Sequence, residues 1–222
     1  MIEIRDIKKK YGRCPVLNGV SLTIERGSCV GIIGSNGSGK STLLEILAGV
    51  ICPDTGAFLV DEKMAWAKQI RKKIGYVPQA NPLMEELTAW DNICLWNEKA
   101  DLKQALGEDG ALHMLGVDQY LKKPIYKMSG GMKKRVSIAS ALISKPEILL
   151  LDEPSAALDL EGKERLYDYF SRYTQAGGTV IIVTHDIHEL EICSHTWILR
   201  DGKAMPYIYQ GDIHELVGAL EG

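Results

Sequence analysis

Apolar residues in this chain fall into two periodicities that alternate along its length. Continuous short runs bounded by turn residues occur at Cys29-Val30-Gly31-Ile32-Ile33, Ile148-Leu149-Leu150-Leu151 and Thr179-Val180-Ile181-Ile182-Val183. Such runs, without polar alternation, predict strands covered on both faces, the condition of a parallel sheet. Weaker strand patterns occupy residues 2–7 and 20–24, with Asn18-Gly19 as a turn signal between them. Another follows the turn Pro53-Asp54-Thr55-Gly56, at Phe58-Leu59-Val60, and Ile74-Gly75-Tyr76-Val77 stops at Pro78.

From about residue 85 to 145 the strand pattern gives way to helical spacing. Leu87, Trp90, Ile93 and Cys94 recur at that spacing, as do Leu102, Leu106, Leu112 and Leu115. A helix from Ser129 to Ser144 closes this stretch, before Lys145-Pro146. Helices are also expected at about 161–175 and 186–192, between the later strands, and Ile213–Leu220 is expected to cap the core. Strands alternating with helices make an open α/β sheet, interrupted by a helical insertion.

The junction between the first buried strand and the helix Thr42-Leu43-Leu44-Glu45-Ile46-Leu47-Ala48 is Gly34-Ser35-Asn36-Gly37-Ser38-Gly39-Lys40-Ser41. It fits G-x-x-x-x-G-K-[ST] at every fixed position. Glycines at 34, 37 and 39 let backbone N–H groups turn inward around an anion with no Cβ in the way. The helix starting near Lys40 directs the positive end of its dipole to the same point. Lys40 is expected on the β- and γ-phosphates of a nucleoside triphosphate, with residues 34–39 and Thr42 around them and the Ser41 hydroxyl on Mg²⁺.

Ligands of open α/β sheets bind beyond the carboxyl ends of the strands. The second buried run ends in Asp152-Glu153 and the third in Thr184-His185-Asp186, so all three ends are expected to converge. Asp152 suits Mg²⁺. Glu153 could polarise a water attacking the γ-phosphate. His185 could donate a hydrogen bond to that phosphate.

Met128-Ser129-Gly130-Gly131-Met132 opens the helix after the insertion. With the phosphate loop, Leu151-Asp152-Glu153-Pro154, Ser155-Ala156-Ala157-Leu158-Asp159 and His185, it resembles the ATP-binding cassette (ABC) ATPases, in the family's motif order over essentially the whole chain. The resemblance implies an α/β P-loop NTPase fold: a mostly parallel sheet, an N-terminal antiparallel β subdomain and an inserted helical subdomain. Residues 1–79 and 147–222 would form the nucleotide-binding core and 80–146 the insertion. It implies that Ser129, Gly130, Gly131 and Met132 bind ATP held by a second subunit, in a head-to-tail dimer enclosing two ATP. By the same resemblance Gln79 is the lid glutamine that touches Mg²⁺ and the water, Tyr11 stacks on adenine, and Asp159 couples the two sites. The departures are Met132, where the family's commonest signature has glutamine, and Met128, where it has leucine. The variant Met132-Lys133-Lys134-Arg135 resembles exporter-type cassettes.

Composition narrows the partners. A formal net charge of −3, from 26 basic and 29 acidic residues, gives no footprint for nucleic acid. Lys8-Lys9-Lys10, Arg71-Lys72-Lys73 and Lys133-Lys134-Arg135 read as solvated faces. Five cysteines without a C-x-x-C pair read as free thiols in a reducing compartment. No apolar run approaches a membrane span, and Met1–Asp6 has no signal-peptide core. The short tail past Leu199–Lys203 is expected to carry no separate regulatory domain. The expected function is thus a cytoplasmic ATPase subunit, peripheral on the inner face of the cell membrane, driving transport through separate membrane subunits and favouring export. The other reading is a non-transport cassette ATPase acting on an assembly such as an iron–sulfur scaffold. A phosphoryl-transfer kinase would lack both the signature and the Asp-Glu pair.

Overall fold

Alternate residues of the buried strands face two different cores, and that alternation builds the molecule. The computed structural model describes residues 1–66, 68–97 and 102–221; residues 98–101 of the expected insertion lie outside them. In chain order the strands are β1 (Ile2–Tyr11), β2 (Cys14–Ile24), β3 (Cys29–Ile33), β4 (Thr55–Val60), β5 (Lys63–Met64), β6 (Ile74–Val77), β7 (Ile148–Asp152), β8 (Thr179–Val183), β9 (His195–Arg200) and β10 (Lys203–Tyr207). The helices are α1 (Lys40–Leu47), α2 (Lys68–Arg71), α3 (Ala89–Trp96), α4 (Leu102–Ala105), α5 (Ala111–Met114), α6 (Gly130–Ile143), α7 (Leu160–Gln175), α8 (Ile187–Glu191) and α9 (Ile213–Glu221).

A six-stranded sheet has the order β10-β9-β3-β8-β7-β6, parallel except for β10, and an antiparallel four-stranded sheet has the order β2-β1-β4-β5. Every residue of β3, β7 and β8 is buried. Leu149, Leu151, Val180 and Ile182 pack with Ile93 of α3, Leu112 of α5, Val136 and Ile138 of α6, and Leu166 and Phe170 of α7. Their neighbours Ile148, Leu150, Ile181 and Val183 pack with Leu43, Leu44, Ile46 and Leu47 of α1 and with Ile2, Ile4 and Phe58 of the small sheet. The strands are therefore apolar on both faces because one face carries the helical layer and the other carries α1 and the antiparallel sheet. Leu216 of α9 closes a third cluster with Ile33, Leu190 and Ile198, the cap expected from the sequence.

Three expectations change. The Asn18-Gly19 pair is not the hairpin turn: Tyr11 pairs with Cys14, so the chain reverses on Gly12-Arg13. Asn18-Gly19 lies inside β2, where the register against β1 shifts, and Gly19 (φ +93°) faces Asp6 (φ +45°). A positive φ serves a bulge as well as a turn, so the pair alone does not tell them apart. The β9–β10 hairpin, reversing at Asp201-Gly202, extends the main sheet beyond the predicted strands. The cluster Lys133-Lys134-Arg135 is not a solvated face: Lys133 pairs with Glu85 at 2.7 Å, Lys134 is 2 % exposed, and Arg135 lies over the Tyr120 ring at 5.7 Å. Among the described residues no helix is long and apolar enough to cross a membrane.

Candidate functional site

The carboxyl ends of β3, β7 and β8 lie side by side in the sheet and open onto one cleft of about 390 Å³. Asn36, Gly37 and Gly39–Thr42 line it on one side, with Gln79, Asp152, Glu153 and His185 on the other. Val16 of β2 also lines it, which no sequence signal announced.

Glycine geometry shapes the loop. Gly37 has φ +82° and Gly39 φ +100°, in the region L-residues avoid. Gly34 has no room for a side chain, since a Cβ there would fall on the Leu199 carbonyl oxygen and Ser38 Oγ. Gly39 caps α1 without a side chain, whereas α6 and α7 are capped by Ser129 and Asp159. The first-turn N–H groups of α1 are therefore not covered by a capping side chain and remain to meet an anion. Ser38 Oγ is buried with no hydrogen-bond partner among the described residues. Lys40 is 7 % exposed, and its Nζ donates to the carbonyls of Gly34 (2.7 Å) and Ser35 (3.0 Å). Burial lowers its pKa, against the attraction of Glu153 and Asp152, which raises it.

Across the cleft, Asp152 ends β7 at 3 % exposure. Burial raises its pKa; a hydrogen bond to the Ser41 side chain lowers it, and the Glu153 charge raises it again. Glu153 has φ +46°, a left-handed backbone unusual outside glycine, held by its N–H donating to Val183 O at 2.8 Å. Gln79 Nε2 donates to Glu153 Oε2 at 3.2 Å, and His185 Nε2 lies 3.7 Å from Glu153 Oε1. His185 has a lowered pKa, chiefly from burial and then from the Lys40 charge. It is thus the neutral imidazole near pH 7.

The signature segment lies elsewhere. Tyr11, Ser129, Gly130, Gly131, Met132 and Asp159 are not among the residues lining the cleft. Tyr11 is exposed at the tip of the β1–β2 hairpin, with Lys9 Nζ 5.8 Å from its ring. Ser129 Oγ accepts from Met132 N at 3.2 Å, which leaves its O–H to donate outward. A Cβ on Gly131 would come within 2.6 Å of Ala157 O, so the helix start can press against the 155–159 loop only with glycine there. Met132 packs half-buried against the helical core, with Lys123 Nζ 3.8 Å from its sulfur. Asp159 caps α7, accepting from Gly162 N at 3.0 Å.

Two buried groups escaped the sequence reading. Lys134 was hidden in a basic triplet. Glu189 of α8 is fully buried, accepts from Ser155 N at 3.1 Å and has a pKa raised by burial. Its place in α8, whose apolar partner is Leu190, gives no period that would separate it from the exposed Glu191.

Comparison with known proteins agrees with this geometry. Residues 17–156 match the family model described as ABC transporter. The chain is 31 % identical over 227 residues to the linearmycin resistance ATP-binding protein of Bacillus subtilis (strain 168), covering 98 % of this chain and 72 % of that protein. It is 33 % identical over 204 residues to a lantibiotic transport ATP-binding protein of Streptococcus pyogenes, covering 91 % and 88 %. Among solved structures, a dimeric ATP-binding cassette in a post-hydrolysis state, bound to ADP and Pi, superimposes with a TM-score of 0.84 at 31 % identity, covering 96 % of this chain and all of that one. A cleft built by a phosphate loop, the acidic end of β7 and the histidine after β8, a capped signature helix outside it, and these similarities agree: the chain belongs to the ABC transporter family, as an ATP-binding, ATP-hydrolysing cassette.

Proposed function

We propose that this chain binds ATP with Mg²⁺ in the cleft above α1, closes head to tail with a second cassette subunit around two ATP, and powers export through separate membrane subunits. It would lie peripherally on the inner face of the cell membrane. The observation that carries the reading is the convergence of Lys40, Asp152, Glu153, Gln79 and His185 on one cleft, with Glu153 paired to Gln79 and beside His185. The relatives named for Nod factor export support export; others are named for linearmycin resistance and lantibiotic transport.

Each role rests on this chain's own groups. The loop amides, Lys40 and Ser38 bind the phosphates. Glu153 accepts a proton from the attacking water, and Gln79 holds that carboxylate by its amide N–H. Neutral His185 is placed to donate Nε2–H to the γ-phosphate. Tyr11 supplies a face for adenine. Ser129, Gly130, Gly131 and the Met132 N–H end of α6 meet the partner's ATP, and Asp159 stands at the junction between the two sites. Ser41 Oγ, the Gln79 amide oxygen and the buried Asp152 carboxylate form a hard oxygen donor set that fits Mg²⁺. Bound there, the ion would neutralise phosphate charge. We divide the molecule at 79/80 and 146/147; the absence of named strands between β6 and β7 among the described residues supports that division.

The test is Glu153→Gln. ATP binding should persist, hydrolysis should slow by about 100-fold or more, as expected for lost general-base catalysis, and ATP should drive the variant into dimers on a sizing column. Turnover at the native rate would remove Glu153 from the mechanism.

A further inference from the structure

The cationic side chain of Lys134 enters the protein from the second turn of α6 and comes to rest at 2 % exposure. Its Nζ donates to Pro78 O at 3.0 Å, Gln79 O at 3.3 Å and Asp152 O at 3.1 Å. An ammonium has three N–H donors, so its capacity is filled by three backbone carbonyls. None belongs to its own helix. Two sit where β6 leaves the sheet and the third at the tip of β7, one residue before Glu153. Filling this space with an apolar side chain would avoid the desolvation of a charge. What the charge adds is a tie from α6 to the ends of β6 and β7, two strands already paired in the sheet.

Those segments carry the groups that act on the water. Gln79 and Glu153 meet through their side chains at 3.2 Å, and Lys134 holds the backbone beneath both. We infer that Lys134 is a positioning residue: it clasps the signature helix to the backbones of Gln79 and Asp152, and so sets the Gln79–Glu153 pair for hydrolysis. The inference rests on the proposed role of Glu153. It ties α6, whose Ser129 end would engage a partner's nucleotide, to the residues that orient the water.

The experiment is a cycle of Lys134→Met, Gln79→Ala and the double variant in the full chain, reading ATP affinity, kcat and thermal melting. Lys134→Met should leave ATP affinity within about threefold, because the phosphate loop is untouched, and should lower kcat at least tenfold. In the Gln79→Ala background the same change should lower kcat by less than threefold, since residues acting as one unit are non-additive. Lys134→Arg, which keeps the charge and the donors, should recover more than half of the lost kcat. If Lys134→Met does not fold, Lys134→Gln replaces it in the same cycle. A full tenfold loss persisting without Gln79, or an unchanged kcat in the single variant, would overturn the clasp. Glu153→Gln run alongside separates the two readings. If it is inactive while Lys134→Met is native, the clasp fails alone. If it is active, the general-base reading fails first.

Discussion

Two lysines buried beside the strand ends, Lys40 at 7 % exposure and Lys134 at 2 %, share a residue type, a lowered pKa caused mainly by burial, and a set of carbonyl partners. They differ in whose carbonyls they are. Lys40 donates to Gly34 and Ser35, inside its own loop, and two contacts leave donor capacity that faces the cleft. Lys134 donates to three carbonyls in distant segments and has none left over. A buried lysine with unfilled donors has capacity to offer a ligand; one with filled donors has only its internal contacts. The distinction is invisible to composition, since both positions read simply as Lys.

The largest break in that comparison is expected from Lys40→Ala. Loss of charge-assisted hydrogen bonds of about 1.5–3 kcal/mol should weaken ATP binding by about ten- to a hundredfold, measured by titration calorimetry, whereas Lys134 variants keep their affinity. Equal affinities for the Lys40 and Lys134 variants would erase the distinction.

A smaller effect is expected at the foot of α6, the helix that carries Lys134. Gly131→Ala puts a methyl within 2.6 Å of Ala157 O, while Gly130→Ala meets only the Ala157 methyl at 3.5 Å. The first should cost about 1–3 kcal/mol of overpacking and lower Tm by several degrees; the second should cost less. Equal melting temperatures would mean the 155–159 loop yields freely.

The smallest effect sharpens the electrostatics of the cleft. Burial and Lys40 both lower the His185 pKa, so its NMR titration midpoint without nucleotide should fall below the ordinary 6.5. Because a lowered histidine pKa favours the neutral ring, removing a nearby cation moves the midpoint up. It should therefore rise in Lys40→Ala. A midpoint at or above 6.5 in the native protein would reverse the sign.

What the sequence announced, and what it did not, follows the same division between local and distant determinants. The phosphate loop was legible because it is contiguous: its glycine positions, its lysine and its following helix all lie within residues 29–48. The strand ends were legible because a fully buried strand is an unbroken apolar run that stops where polar residues begin. Asn18-Gly19 misled because a positive φ is common to turns and bulges, and only pairing to β1 decides between them. Lys134 was illegible for a different reason. Its acceptors lie 18, 55 and 56 positions away, so no local window contains the carbonyls that bury it. The β9–β10 hairpin went unread because Pro206 interrupts its second strand, and proline demotes a strand pattern except at an edge.

That proline has a consequence for how copies of the protein can meet. β10 and β6 are the two terminal strands of the large sheet, five and four residues long. Both are short, and β10 contains Pro206, which has no N–H, so each offers few backbone donors to a foreign strand. Self-templated fibre growth finds little purchase at either margin. Crowding many copies of this chain together, as refolding or overexpression does, should then favour association through loops and side chains over sheet extension.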